Sequence, residues 1–160
     1  MDKQQLLRLI LISLEADHKL LTGAAKTSHQ AATHEECQPD NKYDTTALEA
    51  SYLAQGQANR AREIRLALEN YRNLQLQDFV SGATIRLTAL VTLEADDGEV
   101  KQVFLGPATG GLKVRVPGAE VVVITPHSPL GRELLGRSVD DEIAIISQSV
   151  TRNYTITRLS

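Results

Sequence analysis

The sequence predicts an α+β protein: an N-terminal antiparallel coiled-coil helical hairpin followed by an antiparallel β domain with one short helix. Two observations support this fold class. The first half has helical apolar spacing and no proline before Pro39, whereas valine, isoleucine, threonine and glycine become frequent after Asp78. This change of pattern marks a domain boundary, so we expect the hairpin to occupy residues 1–76 and the β domain residues 77–160.

Coiled-coil spacing defines the hairpin, because selected positions recur at alternating steps of four and three along two segments. In the first segment they are Leu7, Leu11, Leu14, His18, Leu21, Ala25, Ser28 and Ala32. In the second they are Tyr43, Ala47, Ala50, Ala54, Gln57, Ala61, Ile64, Leu68 and Tyr71. Pro39 interrupts the helical pattern, and folding the two stripes together about this turn pairs Leu7 with Leu68. The polar pair of His18 and Gln57 either sets the register inside the stripe or reaches solvent at its edge.

Bulk properties exclude several classes of protein. The net charge of −3 over 160 residues gives no reason to expect wrapping of nucleic acid or adhesion to an acidic membrane. No apolar run approaches the about 20 residues that span a bilayer, and we identify no signal peptide, so we expect no membrane partner. Cys37 is the single cysteine and cannot form an intrachain disulfide, which favours a reduced, cytoplasmic setting.

Alternating side chains define the β domain. Residues 84–93 alternate between apolar and more polar types, which predicts a strand, and Asp96-Asp97-Gly98 predicts a hairpin turn after it. Further strands are predicted at 100–105, 112–116, 120–125, 142–146 and 154–159. Ser128-Pro129 begins a short helix, with serine at the cap and proline in the first turn, and Gly136 ends it. We therefore expect a twisted antiparallel sheet with this helix packed on it.

Three motifs of the second half are similar to a known family. They are Ser128-Pro-Leu-Gly-Arg-Glu-Leu-Leu-Gly-Arg137, then Asp140-Asp141-Glu142-Ile143, and the closing strand Tyr154-Thr-Ile-Thr-Arg158. Together they resemble the C-terminal domain of GreA/GreB-type transcript cleavage factors, which has an FKBP-like fold and follows an N-terminal coiled-coil hairpin. The resemblance covers residues 78–160 by motif and the whole chain by architecture.

The resemblance implies a bacterial transcription elongation factor without enzymatic activity of its own. Factors of this family bind RNA polymerase and insert the hairpin into its secondary channel. Acidic residues at the hairpin tip help to hold a second magnesium ion at the polymerase active site, and the polymerase then cleaves backtracked RNA. We therefore expect RNA polymerase as the partner, an indirect relation to nascent RNA, magnesium shared with the polymerase and not bound by the free protein, and a monomer.

The tip of this chain departs from the family pattern, in which an acid and two further residues precede Glu-Asn-Ala-Glu-Tyr. Here the sequence reads Asp40-Asn41-Lys42-Tyr43-Asp44 and later Leu48-Glu49-Ala50-Ser51-Tyr52. Aligned with a gap, Asp40 and Asp44 become the metal-holding acids, with Glu49 as a third catalytic candidate. Aligned without a gap, Leu48 takes the place of the family's glutamate. Asp44 also fits a simpler role as the cap of the second helix.

Three residues before and at the start of the short helix are candidates for binding the polymerase. The resemblance assigns this role to His127, Ser128 and Pro129, although a helix cap and turn would also explain them.

Two alternative functions remain open at this stage. A family relative with an altered tip could occupy the channel and regulate the polymerase without stimulating cleavage. An FKBP-like domain could also act as a prolyl isomerase or chaperone. Isomerase pockets in that family are lined by aromatic residues, and residues 78–160 contain Phe79, Phe104 and Tyr154 as their aromatic residues.

Overall fold

The computed structural model describes residues 2–33 and 45–160. Two long helices, α1 (Lys3–Thr33) and α2 (Thr46–Arg72), form a helical hairpin and precede a six-stranded sheet. The strands are β1 (Leu90–Ala95), β2 (Val100–Leu105), β3 (Lys113–Val116), β4 (Ala119–Ile124), β5 (Glu142–Ser147) and β6 (Val150–Leu159). A short helix, α3 (Pro129–Leu134), lies between β4 and β5 in sequence. The predicted order of a helical hairpin followed by a β domain with one short helix is confirmed.

The chain forms two compact units. One comprises Met1–Ile10 and Asn70–Ser160, and the other comprises Leu11–Glu69. The first residues of α1 and the last residues of α2 therefore belong to the unit that contains the sheet. The predicted division at residues 76 and 77 stays a prediction.

Within the unit Leu11–Glu69, the predicted coiled-coil stripe of α2 is buried at four positions and half-buried at Ala47, Ala50 and Gln57. The four buried positions are Ala54, Ala61, Ile64 and Leu68, with at most 8% of their surface exposed. The matching positions of α1 are buried at Leu14 and half-buried at the others that the structure describes in this unit, which are Leu11, His18, Leu21 and Ala25. His18 and Gln57 are both half-buried, so both interpretations of this polar pair remain open.

The start of α1 buries different residues from those predicted. Leu6 and Ile10 are fully buried, whereas Leu7 and Leu11 are half-buried. Leu6 and Ile10 belong to the compact unit of the sheet. Apolar residues stand on both sides of this part of the helix, and the interior of the sheet unit selects which of them are buried.

The sheet has the strand order β3-β4-β2-β1-β6-β5. β2 and β4 are parallel, with Gln102 opposite Val121 and Leu105 opposite Ile124, and the other neighbouring strands are antiparallel. The sheet is therefore mixed, and the prediction of a purely antiparallel sheet was wrong in this one pairing. Alternation along the sequence identifies strands but not their neighbours. Here β3 is an edge strand, and β4 lies between β3 and β2.

The strand predicted over residues 84–93 begins only at Leu90. Thr88 is fully buried with a φ of +73°, a backbone conformation that cannot continue a strand. Its hydroxyl oxygen accepts a hydrogen bond from the Gln77 amide at 2.9 Å, and its own amide donates to the Leu105 carbonyl at 2.8 Å. Residues 84–89, whose apolar and polar side chains alternate, therefore form a loop in which Ile85, Thr88 and Ala89 are buried. The predicted turn at Asp96–Gly98 is confirmed, because Gly98 has a φ of +82° between β1 and β2.

Tyr71 near the end of α2 is fixed inside the unit of the sheet. Its side chain is 0% exposed, and its hydroxyl donates a hydrogen bond of 2.7 Å to the carbonyl oxygen of Ala108. The Thr109 hydroxyl donates to the Tyr71 oxygen at 3.4 Å. Gly106 makes room for this hydroxyl, because a Cβ atom at position 106 would overlap it and would also lie 3.2 Å from Val123 Cγ1. The loop after β2 is therefore shaped around the tyrosine.

The close approach of Tyr71 to Gly106 predicts coupled effects of mutation. Gly106→Ala places a methyl group against the tyrosine hydroxyl and should lower the free energy of unfolding by about 1–3 kcal/mol. Tyr71→Phe removes the hydrogen bond to Ala108 and the longer one from Thr109, and it should cost about 1–2 kcal/mol. In the double variant the hydroxyl that the methyl strikes is absent, so its loss of stability should be smaller than the sum of the two single losses. Urea unfolding of the four proteins measures this coupling, and strictly additive losses would contradict the geometry.

Candidate functional site: the hairpin tip and the Ser-Pro loop

The first turn of α2 presents one carboxylate, that of Glu49. The Thr45 hydroxyl donates a hydrogen bond of 2.9 Å to Glu49 Oε1, and the Glu49 amide donates one of 2.9 Å to the Thr45 carbonyl oxygen. The Glu49 side chain is exposed. A negative charge in the first turn of a helix is favoured by the helix dipole. Glu49 is therefore a solvent-facing oxygen donor whose position is held by Thr45.

The other two predicted acids, Asp40 and Asp44, lie outside the described residues. Their convergence with Glu49 on one magnesium ion stays a prediction. Among residues 2–33 and 45–160, no group of three histidine, cysteine, aspartate or glutamate residues is arranged to hold a metal ion. A carboxylate oxygen has the hard-ligand chemistry that magnesium requires, so Glu49 fits the role of one ligand among several.

Exposed apolar side chains lie beside Glu49. Leu48 is 54% exposed, Tyr52 is 71% exposed and Leu53 is 56% exposed. Leu48 and Tyr52 are four residues apart and share one side of the helix. The comparison with the family motif selected these two residues, but sequence reasoning missed Leu53. Its position off the coiled-coil stripe, directly after Tyr52, was the available signal. The described part of the tip therefore combines a carboxylate with apolar surface.

The Ser-Pro loop has a clear structural role at Ser128. Ser128 is the N-cap of α3, with a φ of −68° and a ψ of 154°, and its Oγ accepts a hydrogen bond from the Gly131 amide at 3.1 Å. The same hydroxyl donates to the Thr125 carbonyl oxygen at 2.8 Å. Pro129 fills the first helical turn, where no intrahelical amide donor is needed. The predicted cap and helix start are therefore confirmed.

Gly131 is a residue of this loop region that sequence reasoning missed. It is buried, and a Cβ atom there would overlap the Thr125 carbonyl oxygen and lie 2.9 Å from Ser128 Oγ. A glycine in the middle of a short helix costs helical stability, which was the available signal that it has a packing reason. Here glycine lets α3 approach the end of β4 closely.

His127 and Pro129 are exposed, and Ser128 is half-buried. Exposure leaves the first two available to a partner, whereas both hydrogen-bonding roles of the Ser128 hydroxyl are used within the chain. The assignment of the three residues to polymerase binding stays a prediction. The structure explains Ser128 by a different role, because its hydrogen bonds fix the shape of the loop.

A cavity of about 360 Å³ in the unit of the sheet bears on the isomerase alternative. Its lining includes Phe79, Val80, Val139 and Leu159, and Phe79 is the aromatic residue among the lining residues that the structure describes. Lys3 Nζ lies 4.6 Å and the Arg86 guanidinium carbon 4.9 Å from the Phe79 ring centroid. The ring therefore makes cation–π contacts with both side chains. This lining does not resemble the aromatic pocket that a prolyl isomerase would need.

Comparisons with known proteins agree with the resemblance seen in the motifs. The chain is similar to transcription elongation factor GreA of Sphingopyxis alaskensis, with 38% identity over 80 residues that cover 50% of this chain and 43% of that protein. It is similar to GreA of Psychromonas ingrahamii, with 28% identity over 99 residues that cover 61% and 58% of the two chains. The chain thus spans about half the length of these curated relatives. No protein-family model matches it.

A solved structure of the GreA factor homolog 1 (Gfh1) protein of Thermus thermophilus is 26% identical, covers 96% of this chain and 92% of that chain, and gives a TM-score of 0.41. The helical hairpin followed by a sheet domain with its Ser-Pro helix agrees with the resemblance to transcription elongation factors of the GreA type. The chain is thus similar to GreA/GreB-type proteins over part of its length. None of the helices in the described ranges is long and apolar enough to cross a membrane.

The hydrogen bonds of Ser128 predict how substitutions separate capping from partner binding. Ser128→Ala removes the cap and should lower the free energy of unfolding by about 1 kcal/mol. Ser128→Thr keeps a hydroxyl that can both cap the helix and donate to the Thr125 carbonyl, and it should retain most of the stability. His127→Ala changes an exposed side chain and should shift stability by less than about 0.5 kcal/mol. Thermal unfolding measures all three variants, and equal stability of Ser128→Ala and the unmodified protein would contradict the capping role.

Proposed function

We propose that the protein binds bacterial RNA polymerase, inserts the tip of its hairpin into the secondary channel and stimulates cleavage of backtracked RNA. The observation that supports this most is the hairpin itself, in a chain that is similar in sequence to GreA proteins. α1 has 31 residues and α2 has 27, so α1 alone extends over roughly 46 Å at 1.5 Å per residue. Helices of this length can carry side chains from the surface of a large enzyme to its interior.

The proposed chemistry is the delivery of oxygen ligands to a site that belongs to the polymerase. When bound there, the second magnesium ion would activate water and stabilise the leaving group during phosphodiester cleavage. Asp40 and Asp44, with Glu49 beside them in sequence, would supply carboxylate oxygens at the tip. Glu49 accepts one hydrogen bond from Thr45 through Oε1, and a carboxylate has further lone pairs for a metal. The protein itself would hydrolyse nothing.

A second candidate function is regulation of the polymerase without cleavage. The observation that favours it is Leu48, which is 54% exposed. In the ungapped alignment, Leu48 stands where the family has its glutamate. An aliphatic side chain offers no lone pair to a metal ion. A tip of this kind would occupy the channel and alter access to the active site while leaving the second magnesium ion without its extra ligands.

Cleavage of nascent RNA in a backtracked polymerase complex tests the first function. Addition of the protein should accelerate cleavage, and the combined variant Asp40→Asn with Asp44→Asn should lose at least about tenfold of that acceleration, which corresponds to about 1.4 kcal/mol. Glu49→Gln should produce a smaller loss. Asp17→Asn is the matched control, because it changes an exposed acid of α1 away from the tip.

Competition with an authentic GreA protein separates the two candidates. A protein that displaces GreA from the polymerase but leaves the cleavage rate unchanged is a channel regulator of the second kind. A protein that neither accelerates cleavage nor competes with GreA contradicts both candidates.

A further inference from the structure

The two edges of the sheet differ in how they are protected. β3 and β5 are the edge strands. β3 carries Lys113 and Arg115, whose side chains are 66% and 92% exposed, and Pro117 follows it directly. Charged residues and proline on an edge strand oppose pairing with another strand. The β3 edge is therefore protected against strand addition.

β5 lacks such protection. Its sequence is Glu-Ile-Ala-Ile-Ile-Ser, with a charge only at its first residue, Glu142. Ile146 is 75% exposed and Ala144 is exposed. Within residues 2–33 and 45–160, no strand pairs with the side of β5 that faces away from β6. An apolar, unpaired strand edge of this kind is a template for another strand.

The turn between β5 and β6 identifies the backbone groups that point outward. Ser147 pairs with Val150 across the two-residue turn Gln148-Ser149, in which both residues have positive φ values of 48° and 67°. A turn of this type places the closing pair in mutual hydrogen bonds, and the hydrogen-bonded pairs then alternate along the ribbon. The amide and carbonyl groups of Glu142, Ala144 and Ile146 therefore point away from β6. We call these outward groups the β5 edge.

We propose that at high protein concentration the β5 edge pairs antiparallel with the β5 edge of a second copy of this chain, while the monomer expected from the family resemblance is the form at low concentration. The best register places Ala144 opposite Ala144 of the second copy, on a two-fold axis. Glu142 then lies opposite Ile146 of the second copy, and the same contact occurs twice by symmetry. Three outward residues from each copy would exchange roughly six backbone hydrogen bonds.

The side chains fit this register. On the face of the sheet that contacts the core, Ile143 lies opposite Ile145 of the second copy. Ile143 belongs to the core of the sheet domain, and Ile145 packs against that core. On the outer side, the small Ala144 side chains meet without a clash, and the methylene groups of Glu142 cover the exposed Ile146. No like charges face each other, because the acidic start of one strand meets the uncharged end of the other. The second copy is therefore the occupant that this edge fits.

Sedimentation equilibrium over a concentration series from about 10 μM to about 1 mM tests the proposal. The average mass should rise from 17.5 kDa toward twice that value. Ala144→Pro removes only an outward amide, which proline tolerates at a sheet edge, and it should weaken self-association at least about tenfold. Thermal unfolding of this variant checks that the sheet remains folded.

Two variants at the exposed position 146 test the register itself and do not depend on proline. Ile146→Glu places like charges opposite Glu142 of the second copy and should weaken association several-fold. Ile146→Lys places opposite charges there and should strengthen association at low salt. The double variant Ile146→Glu with Glu142→Lys should restore it.

Three results would overturn the proposal. The first is a mass that stays at that of one chain throughout the series. The second is association that Ala144→Pro leaves unchanged. The third is equal weakening by Ile146→Glu and Ile146→Lys, which would show apolar contact in some other arrangement and not strand pairing in this register.

Discussion

The buried hydroxyl of Tyr71 is the contact on which the arrangement of the sheet unit depends. Tyr71 is the penultimate residue of α2, yet it is 0% exposed and bonded to the Ala108 carbonyl in the loop that follows β2. Burying a large side chain contributes roughly 1.5–3 kcal/mol, and its satisfied hydroxyl avoids the penalty of an unpaired polar group. Leu6 and Ile10 of α1 are equally buried in the same unit. The ends of both long helices are thus built into the domain that carries the Ser-Pro helix.

This construction divides the functional tasks of the chain. Residues that would bind the polymerase surface, His127 and Pro129, stand on a loop that Ser128 and Gly131 fix to the end of β4. The acids that would act at the polymerase active site, Asp40, Asp44 and Glu49, lie in sequence between the end of α1 and the first turn of α2. The loop residues and the tip acids belong to separate segments of the chain, so partner binding and chemistry can be altered by separate substitutions.

Local sequence signals predicted what depends on local geometry. The steps of four and three identified the buried residues Ala54, Ala61, Ile64 and Leu68 of α2, and Ser128-Pro129 identified the start of α3. The parallel pairing of β2 with β4 and the buried loop residue Thr88 were not predictable in this way, because they depend on which distant segments become neighbours. The same limit applies to Gly106 and Gly131, whose partners Tyr71 and Thr125 meet them only in the folded chain. At the candidate site, the motif comparison selected Leu48 and Glu49 but gave no geometry for Asp40 and Asp44.

The dependence of stability on alkaline pH tests the burial of Tyr71 most directly. Burial raises the pKa of the Tyr71 hydroxyl above its ordinary value of 10.0, whereas in the unfolded chain the group ionises normally. The stability that the neutral, buried hydroxyl provides is therefore complete below pH 10 and is lost as the pH rises through the folded-state pKa, with a slope of up to about 1.4 kcal/mol per pH unit. The free energy of unfolding should fall more steeply between about pH 10 and pH 11.5 in the unmodified protein than in Tyr71→Phe. Parallel curves for the two proteins would contradict a buried Tyr71 hydroxyl and with it the account of how the helix ends join the sheet unit.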